Sequence, residues 1–267
     1  MNIKLIACDL DGTLLRGDRT ISPYSLGVLQ KCRDAGILIA IATARGEVNA
    51  REYIDAIRPD AVVSSVGALA KIGDRVVYEA MIEPDTAYAL IDAIKQVPGV
   101  GNYCAVTPLG FYAKKPMPPP FVPISDDFAA GCARGAYKIV AYISAEGAKA
   151  VAERFCDIVC TIYTGEGWIS FEHSRATKWQ ALSAVAADLG ISTDVIAAFG
   201  DDVSDVEMLE KCGIGVAMGN AIDAAKSAAK HVCGDNDADG AARWLESNVI
   251  PESNVIPGLT RDLGRNE

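Results

Sequence analysis

Two aspartates near the start of the chain, Asp9 and Asp11, stand one residue apart at the end of the apolar run 3–8. Buried carboxylates this close together repel each other and lose hydration. A divalent cation relieves both effects, and Mg²⁺ takes one or two carboxylates together with water and phosphate oxygens. The alternative interpretation is a tight turn, in which an aspartate caps the backbone and Gly12 supplies an unusual torsion angle.

Two more groups of polar residues follow apolar runs. Thr43 and Arg45 come after the run 37–42, and the acidic segment 200–205 comes after the run 195–199. In open α/β sheets, ligands bind beyond the carboxyl ends of the strands, so these groups and the aspartate pair are expected to converge. None of the three groups contains histidine or cysteine, which favours Mg²⁺ over zinc. Because a second acidic group follows another predicted strand, a simple turn is the weaker interpretation of the Asp9 and Asp11 pair.

The elements that must position these groups alternate between strand and helix. Ser22-Pro23 marks a helix start, with serine as the N-cap, and apolar runs bounded by polar or glycine residues predict strands. The β-α-β order predicts a Rossmann-like parallel sheet with right-handed crossovers. The predicted strands are 3–8, 37–42, 61–65, 195–199, 214–218 and 231–233, and the predicted helices are 23–34, 47–58, 177–189, 202–211, 221–230 and 238–246.

The middle of the chain has a different pattern. Adjacent strands joined by short turns predict an antiparallel sheet with helices on one face. We therefore expect an inserted α+β domain over 83–175, and an α/β domain built from 1–82 and 176–267. The predicted strands of the insertion are 102–106, 110–114, 137–143, 158–163 and 168–173, and its predicted helices are 85–97 and 146–156.

Four segments resemble the motifs of the haloacid dehalogenase (HAD) superfamily. They are DLDGTLL at 9–15, IAIATAR at 39–45, Lys178 within ATKWQAL, and GDDVSDVEML at 200–209. Their order and spacing match, and so does the insertion between the second and third motifs, which is the position of a type-two (IIB) cap domain. VAMGNA at 216–221 and DNDADGAARWLE at 235–246 resemble the Cof-type phosphatase subgroup. The resemblance implies the HAD fold with an inserted cap.

The resemblance also implies a mechanism. Asp9 is the expected nucleophile, which forms an aspartyl-phosphate, and Asp11 is the expected general acid and base, with a side chain free to carry a proton. Mg²⁺ is expected on Asp9, on the backbone carbonyl of Asp11 and on Asp201. Thr13 is expected to cap the turn that follows Asp11.

Further site residues are implied in the same way. Thr43 and Lys178 are expected to hold the phosphoryl oxygens, and Asp205 is expected behind the metal, through water or by orienting Lys178. Thr43 as a plain strand-end residue and Lys178 as a solvated helix residue are the alternatives. Asp202 is expected to be the N-cap or a first-turn acid of the helix over 202–211. Arg45 is expected either to reach the substrate or to form a surface salt bridge.

Candidate contacts to the leaving group are less specific. Arg175, together with Glu166, Trp168 and His173, is a possible substrate-binding residue near the junction of the two predicted domains, and hinge or surface packing is the alternative. Two positions depart from the subgroup pattern, since Ser204 stands where asparagine is usual and Val66-Gly67 stands where Asn-Gly is frequent.

The expected function is a Mg²⁺-dependent phosphatase acting on a small phosphorylated metabolite. Sugar phosphates, phosphoglycolate and phosphorylated cofactors all remain open as substrates. A phosphomutase or phosphotransferase with the same nucleophile is the first alternative, and a non-catalytic binding module is the second. The intact set of motif residues argues against the binding module.

Composition limits which partners and which cellular compartment are expected for this protein. The net charge of −10 argues against nucleic acid. Apolar runs fall far short of the roughly 20 residues that span a bilayer, and Asp9 and Asp11 interrupt any signal-peptide pattern, so a cytoplasmic protein without membrane partners is expected. The eight cysteines are expected to be reduced core residues. The sequence makes no prediction of oligomeric state.

Overall fold

The computed structural model describes residues 2–117, 121–162 and 167–250. The first stretch alternates strands and helices and then ends in a hairpin. Its elements are β1 (Leu5–Cys8), α1 (Pro23–Asp34), β2 (Leu38–Ala42), α2 (Glu47–Ile57), β3 (Ala61–Ser64), β4 (Leu69–Ile72) and β5 (Arg75–Glu79). The β4–β5 hairpin was absent from the prediction, because charged residues such as Lys71 and Arg75 interrupt the apolar alternation of a strand.

The middle stretch follows the predicted order of strands and helices. Its elements are α3 (Pro84–Lys95), β6 (Tyr103–Thr107), β7 (Gly110–Ala113), α4 (Phe128–Gly131), β8 (Lys138–Tyr142), α5 (Ala145–Ala152), β9 (Ile158–Ile162) and β10 (Trp168–His173). The single-turn helix α4 was not predicted, and α5 ends four residues earlier than the predicted 146–156.

The last stretch returns to alternating strands and helices. Its elements are α6 (Lys178–Asp188), β11 (Ile196–Gly200), α7 (Val206–Lys211), β12 (Ile214–Ala217), α8 (Asp223–Ala228), β13 (His231–Val232) and α9 (Gly240–Asn248). The predicted continuous helix over 202–211 is wrong in its first turn, since residues 203–205 form a 3-10 turn before α7. The carboxylate of Asp205 accepts the N–H groups of Asp201 and Asp202, so a side chain shapes this turn.

Eight strands form one sheet in the order β13-β12-β11-β1-β2-β3-β4-β5, and only β4 and β5 run antiparallel to their neighbours. The α/β fold class is therefore confirmed. Strand β1 is central, with Leu5 paired to Ile196 of β11 on one side and to Leu38 of β2 on the other. Because β1, β2 and β11 are parallel neighbours, their carboxyl ends meet at one edge of the sheet.

The remaining five strands form an antiparallel sheet in the order β7-β6-β8-β10-β9. Alternate residues such as Ile139 and Phe171 pack against α3 and α5 in a buried core. The other alternation lies on the opposite face, which we call the helix-free face; its members include Cys104, Val106, Lys138, Val140, Ser170 and Glu172. All five strands fall within the predicted insertion, and the exact domain boundaries at 82/83 and 175/176 stay a prediction.

Gly67 lets two distant segments approach each other closely. Its φ is +98°, and a Cβ at this position would collide with the backbone carbonyl of Thr177. Thr177 caps α6, since its hydroxyl accepts the N–H of Gln180 at 3.1 Å. The loop after β3 therefore packs directly on the first turn of α6, the turn that carries Lys178.

We predict that Gly67→Ala lowers the free energy of unfolding by roughly 2 kcal/mol or more, because it combines a strained φ with a backbone collision. Gly36→Ala is the matched control, since Gly36 has a φ of +79° with open space around it, and its loss is about 1 kcal/mol. Urea unfolding measures both. Equal losses would contradict the close approach at Gly67.

Candidate active site

Three aspartates come together at the carboxyl ends of β1 and β11. Asp9, Asp201 and Asp205 each offer a carboxylate oxygen, and the three oxygens lie within 4.8 Å of one another. The N–H of Asp9 donates to the carbonyl of Phe199 at 3.0 Å, which continues the β1–β11 ladder into the site. We call these three residues the acidic cluster.

Lys178 carries the positive charge that links two of these three carboxylates. Its Nζ donates to Asp9 Oδ1 at 2.8 Å and to Asp205 Oδ1 at 2.6 Å, and the residue is only 1% exposed. Burial lowers the pKa of Lys178, but the carboxylates of Asp205 and Asp9 outweigh burial and hold this pKa above its ordinary value. A solvated helix lysine, the alternative at this position, is therefore wrong.

Asp205 stabilises the acidic cluster through hydrogen bonds made by both of its carboxylate oxygens. Its Oδ1 is taken by Lys178, while its Oδ2 accepts the N–H groups of Asp201 at 3.0 Å and Asp202 at 3.2 Å. Asp202 in turn caps the 3-10 turn, with its Oδ1 accepting the N–H of Val203 at 2.7 Å. The predicted capping role of Asp202 is confirmed, although the element it caps is the 3-10 turn.

Asp201 lies at the open side of the cluster. Burial raises the pKa of Asp201 to about 7, although a hydrogen bond from the Thr13 hydroxyl at 2.7 Å acts in the opposite direction. The prediction that Thr13 caps its own turn is wrong, because its hydroxyl reaches across to Asp201. Gly12, with a φ of +75°, leaves room there, since a Cβ on it would collide with the Asp201 carboxylate.

The Asp11 carboxylate bonds Arg45 and not Lys178. Arg45 donates from Nε to Asp11 Oδ2 at 2.7 Å and from Nη2 to Oδ1 at 2.6 Å, a two-point ion pair. The Asp11 side chain is 52% exposed and that of Arg45 only 7%. The expectation of a free Asp11 side chain is therefore wrong for this structure, because the buried Arg45 forms an ion pair with this half-exposed carboxylate.

Other contacts hold Arg45 in place. Its Nη1 donates to the carbonyl of Asn49 at 3.2 Å, and its guanidinium lies 4.9 Å from the centre of the Tyr53 ring. Thr43 directly follows β2, is fully buried, and accepts the Arg45 N–H with its hydroxyl at 3.1 Å. The loop after β2 thus places Thr43 and Arg45 at the same edge of the sheet as the acidic cluster.

Three of the candidate leaving-group residues, Arg175, His173 and Trp168, contact groups outside this cluster. Arg175 is exposed, and its carbonyl accepts the Tyr78 hydroxyl at 2.7 Å. His173 accepts the Arg175 N–H at 3.0 Å, and Trp168 packs edge-on against Tyr142. Among the described residues, no hydrogen bond joins any of these side chains to the acidic cluster. Glu166 lies outside the described residues.

Lys138 was missed by the sequence prediction. It lies on β8 of the five-stranded sheet, is buried, and donates from Nζ to the carbonyl of Ala44 at 2.7 Å. Ala44 stands between Thr43 and Arg45, so this bond joins the second sheet to the loop after β2. A single lysine within the apolar strand 137–143 was the signal that could have identified it.

Val66 shows what the departure from Asn-Gly changes. The residue is buried at 5% exposure and has a φ of +63°. A β-branched side chain disfavours this left-handed conformation, which asparagine and glycine adopt more readily. The chain therefore carries local backbone strain at this position. Ser204, the other departure, lies within the 3-10 turn.

The acidic cluster fits a hard divalent cation. Three carboxylates face one lysine, so the cluster carries excess negative charge in a buried place, as the raised pKa of Asp201 also indicates. The donors are all oxygens, the ligands that Mg²⁺ and similar cations prefer. Because both oxygens of Asp205 are already hydrogen-bonded, Asp9 and Asp201 are the carboxylates best able to take a cation.

Comparisons with known proteins give one consistent result. Residues 6–245 match the model of a family described as haloacid dehalogenase-like hydrolase. The chain is 29% identical to the 5-amino-6-(5-phospho-D-ribitylamino)uracil phosphatase YitU of Bacillus subtilis, covering 91% of this chain and 96% of YitU. It is 28% identical to the pyridoxal phosphate phosphatase YbhA of Escherichia coli, covering 94% of this chain and all of YbhA.

A solved structure shares the fold. The HAD subclass IIB sugar phosphatase BT4131 superimposes with a TM-score of 0.82 at 23% identity, over 93% of this chain and 100% of that chain. The likeness spans both sheets, so it includes the inserted cap. Within the described ranges, no helix combines the length and the apolar character that crossing a membrane requires.

We predict that Asp205→Asn lowers the free energy of unfolding by about 3 kcal/mol, because it leaves buried Lys178 with one carboxylate and gives two N–H donors a poorer acceptor. Glu207→Gln in the adjacent helix is the matched control, and its loss stays below about 0.5 kcal/mol, since Glu207 forms only a partly exposed pair with Lys211. Denaturant unfolding compares the two. Similar losses would show that Asp205 does not support the cluster.

Proposed function

The chain belongs to the haloacid dehalogenase-like hydrolase family, and from this premise we propose that it hydrolyses a small phosphomonoester with Mg²⁺, through an aspartyl-phosphate on Asp9. The phosphatase class follows from the family match and from the curated relatives. The observation that carries the finer proposal is the Asp9 carboxylate, buried and held by Lys178 next to a half-exposed Asp11. This arrangement offers a positioned nucleophile and a separate carboxyl group for proton transfer.

The first step forms the covalent intermediate. Lys178 holds Asp9 Oδ1, so Oδ2 attacks phosphorus, and an Oδ2–P bond forms as the bond from phosphorus to the leaving oxygen breaks. Protonated Asp11 gives its proton to the leaving oxygen. For this to occur Asp11 has to part from Arg45, and we infer that the entering substrate takes the place of Asp11 at the guanidinium. Thr43 and Lys178 stabilise the charge on the phosphoryl oxygens.

The second step returns the enzyme to its starting state. Asp11, now a carboxylate, accepts a proton from water as the water oxygen attacks phosphorus. The P–Oδ2 bond breaks, inorganic phosphate leaves, and Asp9 is again a carboxylate beside Lys178. Each proton given to the leaving group is thus recovered from water, and no other reactant is consumed.

Asp9, Asp201 and the backbone carbonyl of Asp11 would hold Mg²⁺. The cation, when bound, offsets the negative charge of the cluster and of the phosphate. Asp205 acts behind these ligands, because its hydrogen bonds orient Lys178 and the backbone of Asp201. It is therefore a positioning residue.

We propose a small phosphorylated metabolite as the substrate. YitU and YbhA are phosphatases of a phosphorylated ribitylamino-uracil and of pyridoxal phosphate, both small metabolites that carry one phosphate ester. The net charge of −10 disfavours a polyanionic nucleic acid. A panel of sugar phosphates, phosphoglycolate and phosphorylated cofactors, assayed with Mg²⁺ and with EDTA, tests the proposal through release of inorganic phosphate. The same release without an activating bisphosphate distinguishes hydrolysis from a phosphomutase reaction.

We predict that Asp9→Asn and Asp11→Asn both lose turnover, by roughly 10³-fold or more for Asp9 and by about 10²–10⁴-fold for Asp11. Only Asp9→Asn also abolishes the phosphoenzyme, because it removes the attacking oxygen. Steady-state phosphate release and acid-quench labelling of the protein measure the two effects. An Asp9→Asn variant as active as wild type would overturn the mechanism.

We predict that Asp201→Asn raises the Mg²⁺ concentration for half-maximal rate by roughly tenfold or more, because it replaces a charged ligand with a neutral one. Asp202→Asn is the matched control, since asparagine caps a turn as well as aspartate, and its Mg²⁺ requirement stays near that of wild type. Titration of EDTA-treated enzyme with Mg²⁺ gives both values. The same requirement in all three proteins would place the cation elsewhere.

A further inference from the structure

Two asparagines late in the chain are bonded to the turn that follows β1. Asn220 Nδ2 donates to the carbonyl of Gly12 at 2.8 Å. Asn220 Oδ1 accepts the backbone N–H of Asn236 at 2.9 Å, and Asn236 Nδ2 donates to the carbonyl of Leu15 at 2.8 Å. The turn that carries Asp11 is therefore held at two points by residues that lie 208 and 221 positions further along the chain.

The Asn220 bond restrains the most adjustable residue of this turn. Gly12 has a φ of +75°, and glycine can adopt a wider range of backbone torsions than any other residue. The carbonyls of Asp11 and Gly12 stand on either side of the Gly12 Cα, so the torsions of Gly12 set the direction of one carbonyl relative to the other. A hydrogen bond to the Gly12 carbonyl therefore also limits where the Asp11 carbonyl points.

The chain next to Asn220 is also bonded to Asp201. The N–H of Ile222, two residues further on, donates to the carbonyl of Asp201 at 2.9 Å. These two residues therefore connect the segments that hold the ligands proposed for Mg²⁺, the Asp11 carbonyl on one and the Asp201 carboxylate on the other. The relative position of the two segments depends on this short connection as well as on the hydrogen bond from Thr13 to Asp201.

Both asparagines belong to sequence motifs that the proposed mechanism leaves without a role. Asn220 lies in VAMGNA at 216–221, and Asn236 lies in DNDADGAARWLE at 235–246. Asn220 is exposed and Asn236 is half-buried, so neither side chain fills the hydrophobic core. Their contribution to the structure lies in the hydrogen bonds that they form to each other and to the turn after β1.

We propose that Asn220 is a positioning residue for the divalent cation, because it fixes the Asp11 carbonyl through the carbonyl of Gly12. This inference rests on the proposed function, since it concerns the Mg²⁺ of that mechanism. Removing a group that orients a metal ligand typically weakens metal binding by roughly 10- to 100-fold. A weaker Mg²⁺ site is therefore the expected consequence of losing the Asn220 side chain, while Thr43 and Lys178 stay in place.

Thermal unfolding of the EDTA-treated protein over a series of Mg²⁺ concentrations tests this role without substrate. A cation that binds only the folded protein raises Tm by an amount that depends on its concentration relative to Kd. Asn220→Ala is expected to raise the Kd for Mg²⁺ roughly tenfold, so that each Mg²⁺ concentration raises Tm less than it does in wild type. A merely structural role would lower Tm without Mg²⁺ and leave the Mg²⁺-dependent increase unchanged.

Asn248→Ala is the matched control. Asn248 also donates from Nδ2 to a backbone carbonyl at 2.8 Å, that of Trp244, but it does so at the end of α9. Its loss is expected to leave the Kd for Mg²⁺ within about twofold of the wild-type value. Asn220→Ser, whose side chain is too short to bridge Gly12 and Asn236, gives the same comparison if Asn220→Ala does not fold.

The outcomes distinguish this inference from the proposed function. A Kd for Mg²⁺ that rises no more in Asn220→Ala than in Asn248→Ala would overturn the positioning role while leaving the Mg²⁺-dependent phosphatase intact. A wild-type Tm that does not respond to Mg²⁺ would overturn the Mg²⁺ part of the proposed function and the positioning role with it. A larger rise in Kd for Asn220→Ala than for Asn248→Ala would support both.

Discussion

The site depends on the two hydrogen bonds that the ammonium of Lys178 donates to Asp9 and Asp205. Asp9 and Asp205 are both buried, and two carboxylates in such a place would repel each other without a cation between them. Lys178 bonds both, and it stands there because α6 begins at this residue with its first turn packed against Gly67. The loop after β3, although it contributes no chemical group, therefore sets the position of the charge that organises the cluster.

The two aspartates of the first motif occupy opposite surroundings although one residue separates them. Asp9 directly follows β1, is buried, and bonds Lys178, whereas Asp11 is half exposed and is held by Arg45. Gly12 has a positive φ after Asp11, and its missing side chain leaves space for the Asp201 carboxylate. The proposed mechanism uses this difference, since it assigns the nucleophile to the buried Asp9 and proton transfer to the half-exposed Asp11.

The five-stranded sheet places a different kind of charged group, the ammonium of Lys138, at the loop after β2. The acidic cluster lies at the carboxyl ends of two strands of the eight-stranded sheet, while Lys138 lies on the five-stranded sheet and donates to the carbonyl of Ala44. The residues proposed for phosphoryl transfer thus lie at the edge of the eight-stranded sheet, and the five-stranded sheet contacts that edge through Lys138.

The sequence by itself determined the parallel sheet, the inserted antiparallel sheet and the convergence of three polar groups at strand ends, because periodicity and strand order are local signals that topology then combines. Only the tertiary structure decided that Thr13 bonds Asp201, that Asp11 pairs with Arg45, and that Lys138 reaches the loop after β2. These hydrogen bonds join residues that are far apart in the chain, and each side chain involved could bond several different partners. Tertiary packing decides which partner each side chain meets. The β4–β5 hairpin was likewise invisible in sequence, since its strands are held by pairing to β3 and not by their own apolar pattern.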